Sequence, residues 1–199
     1  MFALETIYRR IWGGQPRLVA EVGVNEPEKC SVAPWLRKGV EGILVEPLPW
    51  CCARLREAFP TAKVVEGVVG ATRGEVKLYD RGEGSWIEDV PKGQAPDEHH
   101  KHSAMNRDSF DPQFVRTVTS YPWWSLEKHQ LDVLCVDTEG AEWFVIRDMR
   151  TEPKLIRLEM HFTHTGWRNP FYQEICDSLH SCGYEILGED VSDILWAKY

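Results

Sequence analysis

The run Leu131-Asp132-Val133-Leu134-Cys135-Val136-Asp137-Thr138-Glu139-Gly140-Ala141-Glu142 constrains the fold more than any other stretch of the chain. Its apolar centre reads as a strand buried on both faces, the pattern of a parallel sheet covered by helices. That strand ends abruptly in three carboxylates around one glycine. In an open parallel α/β sheet, ligands bind outside the carboxyl ends of the strands, so Asp137 and Glu139 fall where chemistry is done. Glu142 is read differently, as an acid in the first turn of a helix, where it favours the helix dipole.

The remaining chain repeats this alternation. Met1 to Trp12 places Leu4, Ile7, Tyr8, Ile11 and Trp12 at helical spacing, a docking helix that closes at Gly13-Gly14. Arg17 to Val22 reads as a strand, and Asn25-Glu26-Pro27-Glu28 as a helix start, with proline and acids suited to a first turn. Pro34 shortens or kinks that helix. Strands are expected at Gly42 to Glu46, Ala62 to Val65 and Glu75 to Tyr79, with a helix from Pro49 to Phe59. After Leu131 to Val136 come a helix from Ala141 to Arg150, a strand from Leu155 to Met160 and a helix from Pro170 to Cys182. Gly183 to Leu187 and Ile194 to Lys198 form an antiparallel hairpin at the sheet edge. Strands alternating with helices give an α/β fold with a doubly wound, mostly parallel sheet, in a single domain spanning residues 1–199. Right-handed crossovers bring the strand-end acids to one rim.

From Arg81 to Ser120 the periodicity collapses, which marks an irregular insertion of the kind that serves as a lid or binding loop. Its run Asp97-Glu98-His99-His100-Lys101-His102 reads as a solvated loop, because adjacent histidines do not converge on one ion. Of the nine tryptophans, Trp50, Trp143 and Trp196 are expected in the core, whereas Trp86, Trp123, Trp124 and Trp167 lie in irregular stretches and could line a pocket.

Charge narrows the function. With 23 Lys and Arg against 31 Asp and Glu the net charge is −8, and no basic cluster stands out, which disfavours a phosphate-tracking nucleic-acid binder. The six cysteines lack CxxC pairs and are read as free thiols of a reducing compartment. No apolar run approaches the ~20 residues that span a bilayer, so a cytoplasmic protein without membrane contact is expected.

Four strand ends carry polar signals: Glu21-Val22-Gly23-Val24-Asn25, Leu44-Val45-Glu46-Pro47, Glu66-Gly67 and Asp137-Thr138-Glu139-Gly140. Together they describe a nucleoside site. Gly23 lets the backbone approach a ligand, and Glu46, about twenty residues on, can accept hydrogen bonds from both ribose hydroxyls. A dinucleotide would need G-x-G-x-x-G, whereas Glu26-Pro27-Glu28 would repel phosphate. The cofactor is therefore expected to be a nucleoside without phosphates. S-adenosylmethionine fits, since its ammonium and sulfonium suit acids at Glu21 and Asp137. Glu21, Gly23, Asn25, Glu46, Glu66, Gly67, Asp137 and Glu139 are the candidate cofactor contacts.

These segments resemble the FkbM-type S-adenosylmethionine-dependent methyltransferases over roughly Arg17 to Tyr199. Glu21 to Asn25 is similar to that family's D-V-G-A-N and Val45-Glu46-Pro47 to its F-E-P. Val68-Val69-Gly70 with Gly74 to Tyr79 resembles its A-V-G followed by a G-x-v-x-f-y strand. Leu131 to Glu142 looks like I-D-L-L-K-I-D-V-E-G-A-E, Leu158-Glu159-Met160-His161 like a strand ending in E-x-H, and Gly183 to Ile186 like its last G-y-x-v strand. The chain departs from the pattern at Glu21 for aspartate, at Glu26-Pro27 for the second glycine and at Cys135 for lysine. The resemblance implies a Rossmann-like class I methyltransferase sheet and methyl transfer, most often to a hydroxyl oxygen of a sugar or small metabolite. For that reaction His161 is the leading general base, with Asp137 second. Glu159 joins them as a catalytic candidate, since Asp137, Glu159 and His161 could alternatively hold a divalent ion, a reading placed below the metal-free one. The rivals are a catalytically degenerate adenosylmethionine-binding domain with a regulatory or assembly role, an NAD-dependent enzyme and a nucleic-acid methylase. Acceptor and oligomeric state are left open by the sequence.

Overall fold

Alternate residues of the central strands feed two separate apolar cores, and this alternation decides the layering. The computed structural model describes residues 2–80, 84–91, 112–127, 130–160 and 169–199. In chain order the elements are α1 (Leu4–Trp12), β1 (Leu18–Val22), α2 (Ala33–Leu36), β2 (Glu41–Glu46), α3 (Pro49–Ala58), β3 (Ala62–Glu66), β4 (Val68–Val69), β5 (Gly74–Tyr79) and β6 (Trp86–Ile87). They continue with β7 (Val115–Tyr121), β8 (Val133–Val136), α4 (Glu142–Arg147), β9 (Leu155–Glu159), α5 (Tyr172–Ser181), β10 (Glu185–Glu189) and β11 (Asp193–Ala197).

Ala20, Val22, Ile43, Val45, Leu134, Val136, Ile156 and Leu158 share one core with Val145 of α4 and Ile175 and Leu179 of α5. The residues between them, Val19, Leu44, Val133, Cys135 and Leu155, share the other with Leu4 and Tyr8 of α1, Trp35 of α2 and Leu55 of α3. Period-2 burial on both faces is what a sheet between two helical layers requires. The first helix docks as its spacing implies, with Tyr8 packed edge-on against Trp35 at 6.0 Å between ring centroids.

The main sheet runs in the order β10-β11-β9-β8-β1-β2-β3. β3, β2, β1, β8 and β9 are parallel, and β11 is antiparallel to both its neighbours. From β1 the chain winds outward to β3 and later returns to β8 on the other flank. The order therefore reverses between β1 and β8, the place where open α/β sheets hold their ligands. The C-terminal hairpin exists, but its inner strand β11 pairs with β9 and only β10 is at the edge.

Four expectations need correction. The helix expected near Pro27 does not form there: the chain turns through residues 26–32, and α2 begins only at Ala33 with Pro34 in its first turn. The backbone N–H groups of Ser31 and Val32 donate to the Glu21 carboxylate at 3.0 and 3.1 Å, which holds the turn. α4 stops at Arg147, and the N–H groups of Arg150 and Thr151, which a longer helix would have used, donate to Glu127 at 2.7 and 3.1 Å. The final hairpin turns two residues later than expected, because Asp190 accepts from the N–H groups of Ser192 and Asp193 at 3.2 and 3.1 Å. Finally, the stretch from Arg81 to Ser120 contains β6 and most of β7, which join β4 and β5 in a second sheet of order β4-β7-β5-β6. The run Asp97 to His102 and Trp167 lie outside the described residues.

Among the tryptophans, Trp86, Trp123 and Trp196 are buried, whereas Trp50, placed in the core from its spacing, is 48% exposed beneath Arg116. The six cysteines form no disulfide, and five of them are buried. No helix among the described residues is long and apolar enough to cross a membrane.

Tyr184 precedes β10 and donates its buried hydroxyl to the Pro153 carbonyl at 2.7 Å, fastening the hairpin to the start of β9. Tyr184→Phe leaves that carbonyl without its donor and should cost about 1 kcal/mol of stability, read from urea denaturation, with the m-value unchanged.

Candidate functional site

Register brings the acids together. Glu46 pairs with Glu66 across β2 and β3, and Glu159 with Asp193 across β9 and β11. Val22 lies between Val45 and Val136, so Gly23 emerges between Glu46 and Asp137 at the reversal point. The N–H of Gly23 donates to the Val45 carbonyl and that of Asp137 to the Val22 carbonyl, both at 2.9 Å. Gly23 has φ +80°, and a Cβ there would lie 1.7 Å from the Asp137 carbonyl oxygen. The residue must be glycine for both reasons.

A cavity of about 380 Å³ opens over this point, within the size range of small-molecule sites. Gly23, Asn25, Glu46, Gly67, Asp137, Glu139 and Glu159 line it. Glu46 is nearly buried, and its carboxylate accepts from the N–H of Asn25 at 2.7 Å and of Leu48 at 3.0 Å. Asn25 itself has φ 59°, a conformation asparagine tolerates. Burial pushes the Glu46 carboxyl above its ordinary range while these N–H groups oppose the shift. The Val24 N–H also acts on it, and since an ionised carboxylate offers about four acceptor sites, capacity for a further donor remains.

Glu21 also borders the cavity, yet its carboxylate is engaged elsewhere. Besides Ser31 and Val32 it accepts from the Cys30 thiol at 3.2 Å, so it shapes the turn after Gly23. Glu66, expected as a cofactor contact, is exposed on the edge strand, where Arg56 of α3 reaches it at 3.5 Å, and it does not line the cavity. His161 lies outside the described residues. Glu26 and Glu28 turn away from the cavity to Arg54 of α3, at 2.6 and 3.0 Å.

Asp137, Glu139 and Glu159 each offer a carboxylate oxygen within 4.8 Å of the others. Glu139 is held at φ 54°, unusual for a side chain of its size, and this turn carries it back over the strand end. Burial, then the charges of Glu159, Asp137 and Glu142, push the Glu139 carboxyl well above its ordinary range. Burial likewise lifts Glu159 to about 7, against a hydrogen bond with Asp137 that lowers it. Both shifts favour the protonated forms of Glu139 and Glu159, as is usual when carboxylates crowd one site.

Glu142 is more than a first-turn acid. One oxygen accepts from the Thr138 N–H at 2.7 Å and its hydroxyl at 2.8 Å, and the other accepts from the Asn169 amide. It thereby fixes the loop that carries Asp137 and Glu139. Sequence reasoning missed this brace, and it also missed Arg157. A lone arginine in Leu155-Ile156-Arg157-Leu158 was the available signal, since a buried cation demands partners. Those partners are Ser31 Oγ and Asp193 Oδ2, both at 2.8 Å. The second sheet supplies an apolar wall of Leu78, Trp86 and Ile87, with the Trp86 ring stacked on Tyr79 at 3.9 Å. Alternation of β-branched residues in Val115-Arg116-Thr117-Val118-Thr119 was the unused signal for that sheet.

A family model described as Methyltransferase FkbM domain matches residues 21–186. Among solved structures, the crystal structure of Methyltransferase FkbM from Methylobacillus flagellatus KT superposes with a TM-score of 0.55 at 11% identity. The alignment covers 92% of this chain and 44% of that one, so the two share a fold over less than half of the larger protein. No curated protein matches the chain.

The raised Glu159 carboxyl makes a stability prediction. The folded state keeps a proton up to about pH 7 that the unfolded chain gives up near 4.5. The stabilisation it contributes is complete below pH 4.5 and is lost as pH rises towards 7. Thermal melts across that window should show the melting temperature falling, and Glu159→Gln should flatten the profile; equal slopes in the two proteins would refute the assignment.

Proposed function

The chain belongs to the FkbM methyltransferase family, and on that premise we propose that it uses S-adenosylmethionine to methylate a hydroxyl of a sugar or small metabolite. The strand order supports the reading of a Rossmann-like class I methyltransferase sheet, in which residues at the ends of β1, β2 and β8 would hold the cofactor. The observation that carries the reading is the Glu46 carboxylate, held beside Gly23 by two backbone N–H groups with acceptor capacity left over.

The residues present fit the cofactor. Glu46 would take the ribose hydroxyls, Gly23 and Asn25 the backbone side of the nucleoside, and Gly67 with the apolar wall the base. Asp137 suits a cationic centre and would oppose a pyrophosphate, which argues against NAD. When bound, S-adenosylmethionine supplies an electrophilic methyl group on a sulfonium.

The chain's own task is then to align an acceptor oxygen and remove its proton. Glu159, poised near neutrality beside Asp137, is suited to accept that proton, and His161 is kept as a candidate base from its place after β9. A divalent ion on Asp137, Glu139 and Glu159 is the second reading, favoured by their convergence. Protonation of these acids relieves the same repulsion, and the metal-free route is preferred. The acceptor is proposed to be a small molecule or carbohydrate, given the net charge of −8, and the setting cytoplasmic, given the free thiols.

Calorimetric titration with S-adenosylhomocysteine should show binding to the native protein and a loss of about 10- to 100-fold in Glu46→Gln. Undiminished affinity in the variant would remove Glu46 from the site. Transfer of a labelled methyl to a panel of sugars and hydroxylated metabolites should survive EDTA; abolition by the chelator, with rescue by Mg²⁺ or Mn²⁺, would establish the metal-assisted reading instead.

A further inference from the structure

The apolar wall that the second sheet gives the cavity continues past the residues that line it. Ile87, Leu78 and Arg116 are directly opposite one another across β6, β5 and β7, so their side chains form one transverse row on one face. The first two line the cavity. Arg116, at the exposed end of the row, reaches α3 and sets its guanidinium over the Trp50 ring, 5.1 Å from the centroid.

Both ends of this contact are anchored. Trp50 stands in the first turn of α3, three residues after Pro47 of the cavity lining, on a helix that puts Cys51 into one core and Leu55 into the other. Arg116 is aimed by Asp80, whose carboxylate accepts from the arginine Nε at 2.6 Å. The Asp80 N–H in turn donates to the Phe114 carbonyl at 2.9 Å, which continues the ladder of β5 and β7 by one residue. Asp80 stands close enough to Glu46 for its charge to add to burial in pushing that carboxyl up. Trp50, Arg116 and Asp80 thus join the helix that follows Glu46 to the sheet that carries the wall, although none of the three lines the cavity.

We propose that Arg116 is a positioning residue for cofactor binding: seated on Trp50 and held by Asp80, it fixes the wall of Leu78 and Ile87 relative to Glu46, so that base and ribose are gripped together. The proposal rests on the adenosylmethionine reading and goes beyond it, since neither the strand-end motifs nor the cavity lining contains these residues. A gap of about 0.5–1 Å already forfeits a quarter to a half of a dispersion contact, so a wall free to tilt away from a flat base holds it poorly. A cation on an aromatic face resists that tilt and keeps its attraction at an exposed site.

Calorimetric titration of the intact protein with S-adenosylhomocysteine and with 5′-methylthioadenosine, which share base and ribose, tests the assignment. Arg116→Gln and Trp50→Leu should each weaken both ligands by about two- to fivefold, the range of one exposed cation–aromatic contact, and the double variant should lose no more than the weaker single one. Trp50→Phe, which keeps a ring under the guanidinium, should recover most of the loss. A structural role alone would lower the urea midpoint and leave the affinity of the folded protein unchanged, and that result overturns the proposal. Losses that multiply in the double variant, or a Trp50→Phe protein no better than Trp50→Leu, overturn it equally, with the adenosylmethionine reading left intact. Native protein that takes up neither ligand overturns both.

Discussion

Between the end of β1 and the carbonyl of Asp137 there is room for a hydrogen atom and nothing larger, and most of the site follows from that restriction. Because residue 23 has no side chain, β1 and β8 leave the sheet side by side, and the chain can turn at positive φ directly above the point where strand order reverses. That turn delivers the Asn25 N–H to Glu46, and with it orients the carboxylate on the neighbouring strand. A local steric constraint thereby sets the position of a charge on another element.

Crowding acids on one rim has an electrostatic consequence that the protein manages in three ways. Glu21 and Glu142 are committed to backbone N–H groups, where their charge braces loops. Burial and neighbouring charge raise the Glu139 carboxyl well above its ordinary range, and burial lifts Glu159 to about 7. Arg157, one row below Glu159 on β9, lowers the cost of ionising Glu21, Glu159 and Asp193 together. A buried arginine in the middle of a strand is thus the counterweight to a row of carboxylates rather than an isolated ion pair, and removing one partner of such a pair leaves an uncompensated charge.

The parts legible in the sequence were those with a period or a local rule. The apolar run before Asp137 announced β8, and the spacing from Gly23 to Glu46 located the two strand ends that meet. The less legible parts depend on partners distant in the chain. Nothing near Arg150 says that α4 must stop, because Glu127 does the stopping. Glu66 looked equivalent to Glu46 in sequence, but it sits on the edge strand, where Arg56 and solvent compete for it. β7 was hidden for a different reason: the polar residues around it carry no core signal, and one strand of a partly exposed sheet shows only its β-branched composition.

The end of β9 carries a further implication. The N–H of Met160 donates to the Ser192 carbonyl, and the N–H of Asn169 donates to the carbonyl of Met160 at 3.1 Å, so the backbone returns to the place it left. Asn169 is also held from above by Glu142. The two sides of this excursion are tied to each other and to the sheet by bonds that do not involve residues 161–168. Since the entropy of closing a loop grows only with the logarithm of its length, the number and kind of residues between Met160 and Asn169 can change at little cost to the fold. Change in that stretch is thereby separated from the backbone geometry that holds Asp137 and Glu159, which is anchored on Met160, Asn169 and Glu142.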